Sequence, residues 1–261
     1  MSEPVNKKSK TYHNNKWKHH QTKKHSLENG LKGFLCTSNF SEKGCVREAY
    51  NLLNTYADQL YPQELNAEID KKTPAKDITD ELNEEIQNVN TEAKSINRRF
   101  QATDTGAKNC VFIKTTLNDP TELATTIANE IFETKEQKTK DLLRLVPIQF
   151  VCKATIASVT ANIVPLLEKY FKAEKKTFGI VFNRRFNNSV DKDGLIAEIA
   201  KMVVAINAEH KVDLKNPNIV ILLEVIKSWC LISILPDYYK LKKYNLLELS
   251  IKKDDNIPQT E

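Results

Sequence analysis

The sequence predicts an α+β fold, in which strands and helices alternate along most of a 261-residue chain. Short apolar runs, such as Phe178, Ile180 and Phe182, show the alternation of half-buried strands. Between these runs, apolar residues recur at helical spacing behind Ser, Asp or Pro start signals. Forty per cent of the residues are apolar, enough for one large or two small folded domains, while a mean hydropathy of −0.49 indicates extensive solvation.

Positive charge is concentrated at the N-terminus and in the second half of the chain. Residues 1–25 carry +6, residues 26–143 carry −6 and residues 144–253 carry +8, within a net charge of +5. This distribution favours a polyanionic partner for the C-terminal half. We expect residues 1–29 to be a disordered basic arm, since this segment is rich in Lys, His and Asn and has little to bury.

The arm contains the only sequence signals for location. The short basic runs 7–10 and 23–24 are weak nuclear-import signals, so we expect a nuclear protein, in either the nucleolus or the nucleoplasm. Four histidines in the arm match no usual metal-ligand spacing, and a basic tail is the favoured interpretation. The first 30 residues are polar and predict no signal peptide.

The region 30–141 predicts a ferredoxin-like domain, from strand, helix, strand and helix in succession. A strand follows Gly33, and Ser41 then caps a helix whose apolar positions are Val46, Ala49, Tyr50, Leu53 and Ala57. Residues 62–108 are expected to be an acidic insertion, either partly helical or disordered. A strand at 110–114 precedes a helix that starts at Asp119-Pro120 and places Leu123, Ile127, Ile131 and Phe132 on one stripe.

The region 142–251 predicts a second domain, and residues 252–261 a tail. Strands are expected at 146–155 and 178–182, and a helix at 158–170 in which Pro165 either kinks the helix or marks a break. Asp191 caps a further helix with an inner stripe of Leu195, Ile199, Val203 and Ile206. The most apolar segment, 219–235, is rich in Val and Ile and interrupted by Lys227-Ser228, which favours a buried hairpin over a membrane helix.

The sequence offers no sign of catalytic or cofactor chemistry. Its six glycines include no G-x-G, so nucleotide and acyl-CoA phosphate loops are missing. Five scattered cysteines form no C-x-x-C pair and favour buried thiols in a reducing compartment. Outside the arm, His210 is the sole histidine. We therefore expect no enzyme activity, metal, cofactor, small-molecule substrate or membrane contact.

The run F-G-I-V-F-N-R-R-F-N-N-S (178–189) predicts a nucleic-acid docking edge, as a strand that ends in paired guanidiniums and paired amides. Arginine forks bind phosphate oxygens, and carboxamides bind base edges or sugar hydroxyls. The alternative is a solvated loop after a core strand. The candidate RNA-binding residues are Arg144, Lys153, Arg184, Arg185, Asn187, Asn188, Lys215, Asn216, Lys227, Lys240, Lys242 and Lys243.

Neighbouring residues have competing interpretations. Tyr239 and Tyr244 either stack on bases or, as we favour, pack the C-terminal segment on the sheet. Trp229 is interpreted as a core residue and Asp191 as a helix cap. Cys152 and Cys230 lie in predicted strands, where a core role is favoured over a nucleophilic one.

Four ordered motifs resemble one family, the THUMP-domain tRNA acetylation adaptors. These motifs are L-R-L-V-P-I…C-K-A, the 178–189 run, V-D-L-K-N-P and L-P-D-Y-Y-K-L-K-K-Y-N-L, which together span about 142–249. The N-terminal half resembles the ferredoxin-like companion domain of that family, with a longer acidic insertion. The resemblance implies an N-terminal ferredoxin-like domain followed by a C-terminal THUMP domain.

The resemblance also implies a function. It implies a non-catalytic adaptor that grips the acceptor stem and 3′ end of tRNA. The adaptor presents serine and leucine tRNAs to an RNA cytidine acetyltransferase, which forms N4-acetylcytidine. Two alternatives stay open: a general RNA-binding or ribosome-biogenesis protein with this fold, and a tRNA-modifying enzyme in its own right.

Overall fold

The computed structural model describes residues 26–62 and 98–252, and shows the expected α+β fold with two sheets. The first sheet and its helices are β1 (Gly33–Ser38), α1 (Glu42–Leu60), β2 (Phe100–Ala107), β3 (Cys110–Thr115), α2 (Pro120–Thr134) and β4 (Leu142–Ile148). The second sheet and its helices are β5 (Phe150–Lys153), α3 (Ile156–Phe171), β6 (Thr177–Arg185), α4 (Lys192–Ile206), β7 (Lys211–Val212), β8 (Ile219–Ile226) and β9 (Trp229–Pro236). A 3₁₀ turn (Lys242–Tyr244) and α5 (Leu246–Ser250) follow.

The first unit is a ferredoxin-like βαββαβ arrangement. Its four antiparallel strands lie in the order β2-β3-β1-β4, and α1 and α2 join their core. The unit therefore needs β4 as its edge strand, paired with β1 from Gly33↔Ile148 to Ser38↔Leu142. The expected division at residue 142 would separate β4 from this sheet, whereas in the structure β4 belongs to the first unit and the second sheet begins at β5.

The predicted helix starts agree with the capping geometry. The side chain of Ser41 accepts a hydrogen bond from the Gly44 amide, and that of Asp119 accepts one from Thr121. Such caps contribute about 0.5–2 kcal/mol each. The third helix starts two residues before the expected start at residue 158, because Thr155 caps it by accepting a hydrogen bond from the Ser158 amide. Pro165 lies inside this helix, which continues to Phe171.

Two expected irregular segments contain structure at their ends. Leu27 is buried in the first core, so the basic arm extends at most to residue 25, and residues 1–25 lie outside the described chain. Strand β2 occupies the last part of the expected insertion, of which residues 63–97 lie outside the described chain. An ion pair of 2.7 Å between Asp58 and Arg99 joins the last turn of α1 to the residue before β2. The two ends of the insertion are thereby held together.

The second sheet has the order β5-β9-β8-β6-β7. Strands β8 and β9 form the predicted hairpin, and β6 runs parallel to β8. Helices α3 and α4 share one core with this sheet, including the buried stripe of Leu195, Ile199 and Val203. The opposite face of the sheet carries Val220, Leu222, Ile226, Leu231 and Leu235, which join the core of the first unit.

The chain passes from one sheet to the other at a single residue, Gln149. The sequence predicts one strand across 146–155, but the structure divides it between β4 and β5. The buried Gln149 amide donates to Thr121 Oγ1 (2.9 Å) and Tyr170 OH (2.7 Å), and its carbonyl oxygen accepts from the Ile234 amide (2.9 Å). These bonds tie α2, α3 and β9 together at the crossover.

Within residues 26–62 and 98–252, no helix is both long and apolar enough to cross a bilayer. The segment 219–235 forms the predicted buried hairpin instead. All five cysteines are buried free thiols, as the sequence indicates.

Candidate nucleic-acid interface

Three chain segments meet at the tip of the β8–β9 hairpin. The hairpin turn consists of Lys227 and Ser228. The Lys227 amide donates to the carbonyl of Arg185, the last residue of β6 (2.9 Å), and the Ser228 carbonyl accepts from the amide of Ala154, the residue after β5 (2.9 Å). Lys153 pairs with Trp229 in the sheet. The ends of β5 and β6 therefore flank the hairpin turn, and we call this surface the hairpin-tip edge.

A groove of about 500 Å³ opens on the hairpin-tip edge. It is lined by Lys153, Ala154, Thr155, Phe186, Asn187, Ser189, Lys227 and Ser228. The Lys153 ammonium lies 3.6 Å from the centre of the Trp229 ring, a cation–π contact that restrains this lysine side chain. The groove thus combines positive charge with hydroxyl, amide and aromatic groups.

The adjacent arginines do not act as a pair. Both belong to β6 rather than to the loop after it, and neighbouring strand residues point to opposite faces. Arg184 pairs with Val225 on the helix-covered face and is exposed, whereas Arg185 pairs with Ile226 on the face toward the first unit and is half-buried. The two side chains therefore leave opposite faces of the sheet, and Arg184 is the more exposed of the two.

Arg185 belongs to a polar cluster between the two sheets. The Glu224 carboxyl, 4% exposed, accepts a hydrogen bond from Asn183 Nδ2 (2.7 Å), and the guanidiniums of Arg185 and Arg144 also act on it. Burial raises the pKa of Glu224, while Asn183, Arg185 and Arg144 oppose that rise. Arg144 lies on β4 opposite Thr37, and its buried Nε has no hydrogen-bond partner in the described part of the chain. Its position assigns it to this cluster rather than to the hairpin-tip edge.

The two asparagines after the arginines differ in the same way. Asn187 donates to the Lys227 carbonyl (2.7 Å) and accepts from the Ser189 and Val190 amides, so its side chain fixes the loop. Asn188 is exposed beside it. Of the two predicted amides, Asn187 lines the groove and holds the loop, whereas Asn188 is the one exposed to solvent.

The remaining candidates are divided between the two ends of the second sheet. Lys227 stands at the hairpin tip with φ +53°, and its side chain approaches Gly106 of the first unit. Lys215 and Asn216 lie in the turn before β8, where the Asp213 side chain accepts hydrogen bonds from their amides. The eight residues of β8 separate this turn from the hairpin tip, a distance of roughly 25 Å. Lys240, Lys242 and Lys243 follow the end of β9, also away from the tip. The twelve candidates therefore do not form one surface.

The aromatic residues also separate into two groups. Tyr244 is fully buried and shares a hydrogen bond with Thr125 (3.0 Å), which agrees with the packing interpretation, and burial raises its pKa to about 12. Tyr239 packs partly against the first core. Phe186 is 73% exposed in the groove, and sequence reasoning missed it, although an aromatic residue between the arginines and the asparagines was a visible signal.

The His210 imidazole and the cysteine thiols, groups that serve catalysis in other proteins, are buried in this structure. His210 is buried, where its Nδ1 accepts from the Lys176 amide (3.1 Å) and its Nε2 donates to the Phe171 carbonyl (2.9 Å). Burial raises the pKa of the Cys36 thiol and raises that of Cys45 to about 12. Within the described ranges, no group of three or more His, Cys, Asp or Glu residues is arranged to hold a metal ion.

Comparison with known proteins identifies the class of the second unit. Residues 153–235 match the THUMP domain, and this match covers the hairpin-tip edge from Lys153 through the β8–β9 hairpin. The match places the second sheet and its two helices in that class of domain.

Three relatives extend the likeness beyond this domain. The chain is 37% identical to THUMP domain-containing protein 1 homolog of Drosophila melanogaster, over 97% of this chain and 86% of that protein. It is 38% identical to human THUMP domain-containing protein 1, over 85% of this chain and 65% of that protein. It is 26% identical to tRNA acetyltransferase TAN1 of Saccharomyces cerevisiae, over 98% of both chains. The chain belongs to the THUMP domain-containing protein 1 family.

Proposed function

We propose that this protein is a non-catalytic tRNA-binding adaptor. It presents serine and leucine tRNAs to an RNA cytidine acetyltransferase for formation of N4-acetylcytidine. The observation that carries the proposal is the basic hairpin-tip edge, which lies within the THUMP match of a chain from this family.

The chemistry of this edge suits RNA. Lys153, Arg184 and Lys227 supply positive charge for the sugar–phosphate backbone, and Asn188 and Ser189 supply hydrogen-bonding groups. Backbone neutralisation provides much of the affinity for nucleic acid and makes that affinity depend on salt. The acceptor stem and 3′ end of tRNA are the proposed target, recognised mainly through shape and backbone.

One of the relatives supports a role in tRNA acetylation. The yeast relative of similar length is named a tRNA acetyltransferase, which links proteins of this kind to acetyl transfer on tRNA. This chain lacks a glycine-rich loop for an acyl-CoA pyrophosphate, and its described cysteines and His210 are committed to the core. We therefore assign acetyl transfer to a partner enzyme, and propose the nucleus, including the nucleolus, as the place where the two proteins meet.

Reconstitution with purified components tests this proposal. A serine tRNA transcript, acetyl-CoA and a purified RNA cytidine acetyltransferase are combined with and without this chain, and acetylated cytidine is measured by mass spectrometry. We expect acetylation only when both proteins are present and none with this chain alone.

The two alternatives have distinct outcomes in the same assay. Acetylation by this chain alone would make it an enzyme. Acetylation that is independent of the chain, together with equal binding of tRNA and unrelated RNA, would indicate a general RNA-binding protein.

A further inference from the structure

Phe186 is placed where packing does not require it. It follows the last residue of β6 with φ +55°, in the left-handed region that bulky residues rarely adopt. This backbone conformation carries a cost of about 1–2 kcal/mol in a non-glycine residue. The ring is 73% exposed and belongs to neither hydrophobic core, so burial of the ring does not offset the cost.

The left-handed conformation has a geometric effect. It turns the chain out of the strand direction, so that Asn187 reaches across to the Lys227 carbonyl (2.7 Å). Asn187 and Lys227 thereby fix the loop on both sides of the groove. The ring of Phe186 is held at the groove surface by a backbone that is hydrogen-bonded to the sheet.

The surroundings of the ring match those of a base-stacking site. Lys153 lines the same groove, with its ammonium held on Trp229, and exposed Arg184 lies two residues before Phe186. An exposed aromatic face beside cationic side chains suits an unstacked base with its flanking phosphates. A base inside a duplex cannot reach such a ring, because both of its faces are already stacked.

We propose that Phe186 is a stacking platform for one unpaired nucleotide, whose flanking phosphates lie toward Lys153 and Arg184. This inference rests on the proposed function, and it adds the side chain that contacts an unpaired base at the hairpin-tip edge. The site distinguishes unpaired from paired RNA through the ring, while the lysine and arginine bind either form.

The test compares two RNA probes. One is an RNA duplex with a four-nucleotide unpaired tail that carries 2-aminopurine, and the other is the same duplex with blunt ends. Wild-type protein is expected to bind the tailed RNA more tightly and to change the 2-aminopurine fluorescence. In Phe186→Ala, affinity for the tailed RNA should fall roughly 5- to 150-fold, the range expected for one stacked base. Affinity for the blunt RNA should not change.

Two further readouts separate stacking from charge and from folding. Since Phe186 neutralises no phosphate, Phe186→Ala should leave the slope of log affinity against log salt unchanged. Phe186→Trp should retain binding. Phe186→Asn should lose binding of the tail while its melting temperature stays equal or rises, because Asn tolerates the left-handed conformation better than Phe does.

A matched control uses Leu214, which is 74% exposed but lies at the opposite end of the sheet. Leu214→Ala should bind both RNAs as wild type does. Equal binding of the tailed RNA by wild type and Phe186→Ala would overturn the stacking site alone. If wild-type protein bound neither RNA, the RNA-binding function itself would be overturned.

Discussion

At the scale of single residues, Glu224 is a carboxyl group buried away from water, which disfavours its charged form. It lies between two sheets, surrounded by Asn183 on β6, Arg185 on the same strand, Arg144 on β4, and Tyr238 after β9. Its second carboxylate oxygen is buried without a hydrogen-bond partner among the described residues. Burial is the dominant effect, and the pKa of Glu224 is raised.

This raised pKa predicts a pH dependence of stability. Glu224 binds its proton more tightly in the folded chain, so its contribution to stability falls as pH rises from the ordinary glutamate pKa through the raised value. The slope for one proton is at most about 1.4 kcal/mol per pH unit. Glu224→Gln removes the titration. We therefore expect the unfolding free energy of the variant minus that of wild type to increase as pH rises from 4.5 to 8, as measured by urea denaturation.

Glu209→Gln, which changes an exposed carboxyl, serves as the control and should follow wild type. A constant difference between Glu224→Gln and wild type across the pH range would show that Glu224 does not titrate differently in the folded chain.

At the scale of elements, the crossover at Gln149 joins the two units. Its side chain makes three hydrogen bonds to different elements inside a buried site. Gln149→Ala leaves the Ile234 amide and the Thr121 and Tyr170 hydroxyls without this partner. Unsatisfied buried groups cost about 1–3 kcal/mol each, and we expect a loss of about 2–4 kcal/mol in the free energy of unfolding.

Urea denaturation followed by circular dichroism measures this loss. Gln137→Ala is the matched control, because the Gln137 side chain also makes a hydrogen bond, as donor to the Thr139 carbonyl (2.9 Å), but is exposed. It should change stability by less than about 0.5 kcal/mol. Equal stability of Gln149→Ala and Gln137→Ala would mean that water replaces the Gln149 contacts.

The elements also show what sequence reasoning reaches. Ser41, Asp119 and Asp191 cap helices through contacts within three residues, so local sequence suffices to find them. Strand β4 belongs to the first sheet because it pairs with β1, about a hundred residues earlier in the chain. Hydrophobic periodicity identifies a strand but does not show which distant strand it pairs with. The opposite orientation of Arg184 and Arg185 follows from the strand pleat once β6 is known to extend through both residues.

At the scale of the whole molecule, the twelve sequence-derived candidates lie at two ends of the second sheet and between the sheets. Arg184 is at the hairpin-tip edge and Lys215 at the other end, although both are exposed cationic residues. Counting basic residues could not distinguish them, because their separation is a property of the folded sheet.

This separation predicts different salt behaviour. Arg184→Ala should weaken binding of a serine tRNA and reduce the slope of log affinity against log salt by roughly 0.7–0.9. Lys215→Ala should leave affinity and slope unchanged. Filter binding at several salt concentrations measures both variants, and an equal reduction by the two would indicate that RNA extends along the whole sheet.

The ion pair between Asp58 and Arg99 bears on how far the length of the segment between α1 and β2 can change. The pair joins the last turn of α1 to the residue before β2, so these two ends lie close together in the folded chain. Doubling the length of a flexible connection with fixed ends adds only about 0.6 kcal/mol of closure entropy. A change in the number of residues between α1 and β2 is therefore expected to cost the fold little free energy, and the hairpin-tip edge of the second sheet should keep its geometry.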